Sequence, residues 1–215
     1  MSLLPPEAEL ELLHTRRYEA STYRVDDTTI IVRGAISDTK PPGMYVKDDP
    51  EPLEIHQMHI EMKVDMTTFE ILDAHVGFAT NPHEECPQIA RHYDKLIGLS
   101  IARGFGKRTR ELFGGPNGCA HTTALLQAMA PAVIQSAWSL TVSAARDSGV
   151  APNDSSDADA RESMVRRNLN TCHIWAEDGE VIQLIRKGDA KRSAPMQVAQ
   201  RLVELGRDPD EWFQP

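Results

Sequence analysis

The stretch His56 to Val64, HQMHIEMKV, decides the fold. His56, Met58, Ile60, Met62 and Val64 alternate with Gln57, His59, Glu61 and Lys63. A β-strand turns successive side chains to opposite faces, so this period of two predicts one apolar row and one polar row. Asp65 to Thr68 supply a turn, and Phe69 to Thr80 (FEILDAHVGFAT) reads as the return strand. On the N-terminal side, Lys40 to Pro52 (KPPGMYVKDDPEP) is a loop marked by Pro-Pro-Gly. Before it, Thr28 to Ser37 is rich in β-branched residues, and Tyr18 to Val25 precedes it across a turn at Asp26-Asp27. The expectation is an antiparallel meander of about four strands with one wet face. Residues 1–17 form an arm, read as carrying a short helix.

Beyond Thr80 the period lengthens. Pro87 to Leu96 reads as a helix with Ile89, Tyr93 and Leu96 on one side, and Thr109 to Phe113 adds a helical turn. Gly114 to Gly118 (GGPNG) is a break. Thr122 to Ala145 is the longest apolar-periodic segment, with Leu125, Leu126, Met129, Val133, Ile134 and Trp138 for a buried stripe and Pro131 as a kink or stop. Asp147 to Asp159 is poor in apolar residues and reads as a mobile linker. Arg161 to Leu169 follows as a short helix. Cys172 to Ala176 and Val181 to Arg186 flank an Asp-Gly, which predicts a β-hairpin, and Pro195 to Gly206 a last helix. The predicted architecture is α+β. A core spans residues 1–146, a linker 147–160, and a hairpin-and-helix extension at 161–215 packs on the same domain.

The 215 residues carry a formal charge of −9, with 40% hydrophobic and 26% charged residues. An acidic chain repels phosphate backbones, so nucleic acid is not an expected partner. The basic run RGFGKRTR, Arg103 to Arg110, is short and reads as a solvated loop or helix end. The first residues hold prolines and glutamates where a signal peptide needs a basic flank and an apolar run. With no stretch of about 20 apolar residues, no membrane span is expected. The expected location is the cytoplasm, and a homo-oligomer is compatible with the sequence. Three cysteines are an odd number for a disulfide framework, so reduced thiols are expected: core residues, metal ligands or catalytic groups.

Cys119 and His121 follow the glycine-rich turn and open the long helix, where free amides and the helix dipole favour a thiolate. Cys86 also opens a helix, with Pro87 at its first position. If the two helix starts converge, Cys86, Cys119 and His121 offer two thiolates and an imidazole to a metal, with His56 or Asp73 as a fourth ligand. His14, Arg16 and Arg17 form a second cluster suited to a substrate carboxylate. Tyr93 and Asp73 complete the candidate substrate-binding set. Cys172 and His173 lie in a predicted strand, so they point to opposite faces, and Cys172 reads as a core residue.

The pattern His14, Asp38, IHQMHIEMKVD, Cys86, LIGLSI and the Gly118-Cys119-Ala120-His121 turn resembles a family of uncharacterised bacterial proteins, a domain of unknown function. The likeness extends over most of residues 14–190. Members are associated with catabolism of aromatic and other small organic compounds. More distantly, the order of elements resembles the iron–sulfur cluster scaffold proteins, with Cys119 at the place of the scaffold's last cysteine. The scaffold's first cysteine falls near Glu54 and its aspartate near His56, so one thiolate of the cluster set is missing.

No dinucleotide fingerprint, P-loop or nucleophile elbow is present, so no nucleotide cofactor is expected. What remains is cofactor-free or metal-assisted acid–base chemistry on a small organic acid, aromatic ones included: a retro-aldol or deformylating lyase, or an isomerase. His121 is the expected acid or base and His56 its partner, with Cys119 and Cys86 as pocket walls or ligands to a single zinc or iron ion. Two other classes stay open: a non-catalytic metal or sulfur carrier, and a small-molecule binding module.

Overall fold

The computed structural model describes residues 4, 9–102, 104–150, 158–188 and 194–214. The chain divides into two compact units, residues 1–138 and 139–215. The boundary falls inside the long helix, earlier than the expected break after residue 146.

Unit 1 is built on the meander. Strands β1 (Thr15–Arg24), β2 (Thr29–Lys40), β3 (Leu53–Asp65) and β4 (Ile71–Thr80) form one antiparallel sheet in chain order. The register sets Tyr18 opposite Ile36, Ile36 opposite Met58, and Ile60 opposite Val76. Side chains of equal parity therefore share a face. Ile30, Val32, Ile36, Met58, Ile60, Met62 and Val64 are all buried, as the alternation in HQMHIEMKV requires. His59 and Lys63, of opposite parity, are exposed. Both short turns close on an aspartate. Asp26 accepts from the Thr28 amide at 2.9 Å, and Asp65 from the amides of Thr67 and Thr68 at 2.6 and 3.1 Å.

The segment after the sheet is helical from Cys86 to Leu96, wound as a 3-10 helix. Three residues per turn stack Ala90, Tyr93 and Leu96 in one row, and Tyr93 and Leu96 are fully buried. Helix α1 (Phe105–Phe113) is longer than the expected single turn and buries Phe105, Thr109 and Phe113. Lys107, Arg108 and Arg110 of the basic run sit on its exposed side, and Lys107 and Arg108 pair with Glu111. Arg103 lies outside the described residues.

Helix α2 (Ala120–Asp147) carries Leu125, Leu126, Met129 and Val133 into the core of unit 1. Each such side chain contributes about 1.5–3 kcal/mol by leaving water. Its approach to the sheet is close. A Cβ on Gly34 would overlap the Met129 side chain, and Ser136 donates to the Thr22 hydroxyl at 2.7 Å. Pro131 stays inside the helix. Among the described residues, α2 is long and apolar enough by length and composition to cross a membrane. The reason is visible in the sequence: no Asp, Glu, Lys or Arg occurs between His121 and Ala145.

Unit 2 holds α3 (Ala158–Asn168), α4 (Glu180–Lys187) and α5 (Met196–Glu204). The predicted hairpin is not there. Val181, Ile182, Leu184 and Ile185 repeat at helical spacing, with Glu180 in the first turn, Arg186 and Lys187 in the last, and Gly188 closing the helix at φ 77°. Asp178-Gly179 leads into α4 and does not join two strands. Ile182 and Ile185 pack with Val165 in a small core. Cys172 precedes a short 3-10 turn (His173–Trp175) and is exposed, so the core reading of Cys172 is corrected too. No helix forms over residues 9–14, where a helical arm was expected; most of residues 1–8 lie outside the described residues, as do 151–157 of the expected linker.

Candidate functional site

Asp38 ends the buried row of β2 that runs through Ile30, Val32 and Ile36. Its side chain is 2% exposed. The register sets Arg16 of β1 on one side of it and His56 of β3 on the other. Three neighbouring strands thus deliver a cation, a carboxylate and an imidazole in one line across the sheet. The register shifts immediately after this line, between Asp38 and Thr39.

Arg16 donates from Nε and Nη2 to the two oxygens of Asp38, both at 2.7 Å. This bidentate fork is the strongest form of the pair. His14 Nε2 lies 3.2 Å from Oδ1, His121 Nε2 3.0 Å from Oδ2, and His56 Nδ1 3.2 Å from Oδ2. The rings of His56 and His121 stack at 3.9 Å between centroids, 28° apart. Asp38 is therefore the centre of a cluster of three histidines and an arginine.

Electrostatics follow from this packing. The Arg16 hydrogen bonds hold the Asp38 carboxyl down at about 2, against the cost of burial and with help from His121 and His14. Asp38 is ionised at any ordinary pH. In return Asp38 raises Arg16 further above its usual value. His121 is shifted down, first by burial and then by His56 and Arg16, while Asp38 pulls the other way. A neutral His121 must carry its proton on Nε2, because a bare nitrogen lone pair 3.0 Å from a carboxylate oxygen would be repelled. Nδ1 is then free as an acceptor. Cys119 Sγ lies 3.8 Å from it. Thiol, imidazole and carboxylate form a relay of the kind that activates nucleophiles and moves protons.

The turn holding Cys119 is fixed by Tyr93. The Cys119 amide donates to the Tyr93 oxygen at 2.8 Å, and the phenol donates to the Cys119 carbonyl at 3.2 Å. Thr123 closes the arrangement by donating to the Phe113 carbonyl at 3.1 Å. Gly118 is needed for closeness: a Cβ there would meet the Phe113 carbonyl and the Tyr93 oxygen. Burial pushes the Tyr93 phenol above its usual value, so it stays protonated.

Of the residues singled out from sequence, His14, Arg16, His56, Cys119 and His121 come together. Tyr93 stands beside them as the group that positions Cys119. Arg17 stands opposite Ser37, on the other face of β1 from Arg16, and is exposed. Asp73 pairs across the sheet with Lys63 on the wet face and is exposed. Cys86 begins its helix half-buried. Among the described residues, the group of side chains able to hold a metal is Asp38, His56 and His121, without Cys86 or Cys119. Asp38 was not among the candidates from sequence. Its signal was parity: an acid two residues beyond Ile36 in the apolar row of a β-branched strand, where a charge persists only if paired.

The family model described as "Protein of unknown function (DUF2889)" matches residues 14–135, a span that holds every residue of the Asp38 cluster together with Tyr93 and Cys119. No curated protein and no solved structure matches the chain.

Proposed function

Taking as premise that the chain belongs to this family of proteins of unknown function, we propose that it is an enzyme acting on a small organic acid by acid–base chemistry at the Asp38 cluster, as a lyase or isomerase. One observation carries the reading: His121 touches an ionised, buried carboxylate through Nε2 and faces the Cys119 thiol through Nδ1. Such an imidazole takes a proton at Nδ1, and Asp38 stabilises the imidazolium that results. In a retro-aldol cleavage the base removes the proton of a β-hydroxyl, the carbon–carbon bond breaks, and its electron pair passes to the carbonyl fragment as an enolate, which is then reprotonated. In an isomerisation the same group moves a proton between neighbouring carbons. Both reactions need a proton carrier and a stabiliser of an enolate oxygen, and the stacked His56 and His121 supply groups for both tasks as free imidazoles.

The carrier reading calls for the thiolates to share a site, and the exclusion of Cys86 from the cluster weighs against it. The test is a screen of hydroxy- and oxo-acids, aromatic ones included, followed by proton NMR in deuterium oxide. The expected outcome is conversion, or deuterium exchange next to a carbonyl, that is lost in His121→Ala. Saturable thermal stabilisation by an acid with neither exchange nor conversion would make the protein a binding module instead.

A further inference from the structure

We infer that His56 Nδ1, His121 Nε2 and an oxygen of Asp38 form a three-point site for one divalent cation of the zinc or iron(II) class, with Cys119 beside the site and not on it. The inference deepens the reading above by naming the group that would polarise the substrate.

Geometry comes first. Asp38, His56 and His121 each offer a ligand atom within 4.8 Å of the other two, and Asp38 Oδ2 is 3.2 Å from His56 Nδ1 and 3.0 Å from His121 Nε2. Metal–ligand bonds of about 2.0–2.2 Å, at angles between a right angle and the tetrahedral one, separate ligand atoms by about 2.9–3.5 Å. Both spacings from Asp38 Oδ2 fall in this range.

The second observation is an unsatisfied atom. His56 Nδ1 is buried and has no hydrogen-bond partner, although it sits 3.2 Å from a carboxylate oxygen. Protonated, it points poorly for donation to Asp38. Unprotonated, it is a buried lone pair with no donor. Neither state is comfortable, and a cation between the two atoms resolves both.

The donor chemistry agrees. Two imidazoles and a carboxylate, leaving coordination positions open, suit zinc or non-haem iron(II) and are too poor in oxygen for magnesium or calcium. The surroundings resemble the outer shell of a metal site. Arg16 and His14 hold the carboxylate, and Cys119 faces the second nitrogen of His121. Arg16 directs both hydrogen bonds into Asp38, so one positive and one negative charge cancel. A divalent cation would leave about two positive charges, which favours a substrate carrying a carboxylate. With both histidines as ligands, proton handling passes to Cys119.

The experiment uses the full chain, stripped with chelator and dialysed. Zinc is titrated calorimetrically and cobalt(II) by absorption, in the wild type, His56→Ala, His121→Ala, Cys119→Ser and Cys86→Ser. The expected result is one zinc per chain, bound at least ten-fold more weakly in either histidine variant and unchanged in Cys86→Ser. Cobalt should show ligand-field bands without a strong thiolate band. Histidine nitrogen NMR of the wild type serves even if a variant does not fold: zinc should shift His56 Nδ1 and His121 Nε2 and move the His121 proton to Nδ1. No stoichiometric zinc, binding indifferent to both histidines, or a thiolate band lost in Cys119→Ser would overturn the inference. Turnover by metal-free protein that binds no zinc would overturn it and leave the acid–base reading standing. Zinc bound as expected, with no acid converted, would leave the site standing and remove the enzyme.

Discussion

Arg16 and Asp38 stand opposite each other on adjacent strands and share two hydrogen bonds of 2.7 Å, one to each carboxylate oxygen. The side chain of Asp38 is 2% exposed while that of Arg16 is 37% exposed, so the arginine reaches in from the edge to neutralise a charge that has no access to water. Removing it strands the carboxylate. Arg16→Met should destabilise the fold by roughly 2–3 kcal/mol at pH 7, less than a fully buried pair would lose because the guanidinium is partly solvated. Arg16→Lys should recover part of that, since a lysine supplies the charge without the fork. Urea unfolding of the three proteins checks the order; equal midpoints would mean the pair contributes nothing.

Acid should weaken the protein through the same contact. The folded Asp38 titrates at about 2, below its ordinary value of 3.8. A depressed carboxyl stabilises the fold above its unfolded pKa, and that stability is lost as pH falls through the folded pKa. The window is therefore about pH 4 down to about 2, and the part due to Asp38 is about 2 kcal/mol. Denaturant midpoints measured across this window in wild type and Asp38→Asn should diverge in slope, the variant being flatter.

Tyr93→Phe removes the acceptor of the Cys119 amide and leaves the ring stacked on Phe113, whose centroid is 4.6 Å away. The expected cost is about 1–2 kcal/mol of stability. Turnover of an identified substrate should fall roughly ten-fold or more, because the turn would no longer hold Cys119 and His121 in place. An unchanged rate with lowered stability would leave Tyr93 as core alone.

Gly34→Ala should cost about 1–3 kcal/mol. The new methyl overlaps Met129, which is fully buried and has little room to retreat. Thermal unfolding of Gly34→Ala against Gly34→Ala combined with Met129→Ala tests the contact. The double variant should lose less than the sum of the two single changes.

The sheet was legible because its residues obey one simple period. HQMHIEMKV shows the alternation directly, and parity alone sets His56 in the same row as Met58 and Ile60. The same parity resolves Arg16 from Arg17, but only once the register of β1 is known, since both arginines read alike in a string. Asp38 escaped for a different reason: a single acid at the end of a strand looks like the start of a loop, and its partners are 22 residues before it and 83 after. The union of Cys86 with Cys119 failed because two helix starts with similar local chemistry need not converge. Local sequence reports a thiol's setting, not its neighbours. The Asp178-Gly179 hairpin failed through the opposite weighting. A strong turn signal outweighed the i, i+1, i+3, i+4 spacing of Val181, Ile182, Leu184 and Ile185 that followed it.

Strand β1 is an edge of the sheet, paired among the described residues with β2 alone, and it carries Arg16 with His14 just ahead of it. An edge of the sheet, where fraying begins, therefore holds two of the groups that keep Asp38 charged. Fraying and protonation are then one equilibrium: peeling away the edge lets the carboxylate accept a proton, and a protonated carboxylate loosens its hold on the edge. The ionic state of the cluster is in this sense a report on whether the first strand is seated.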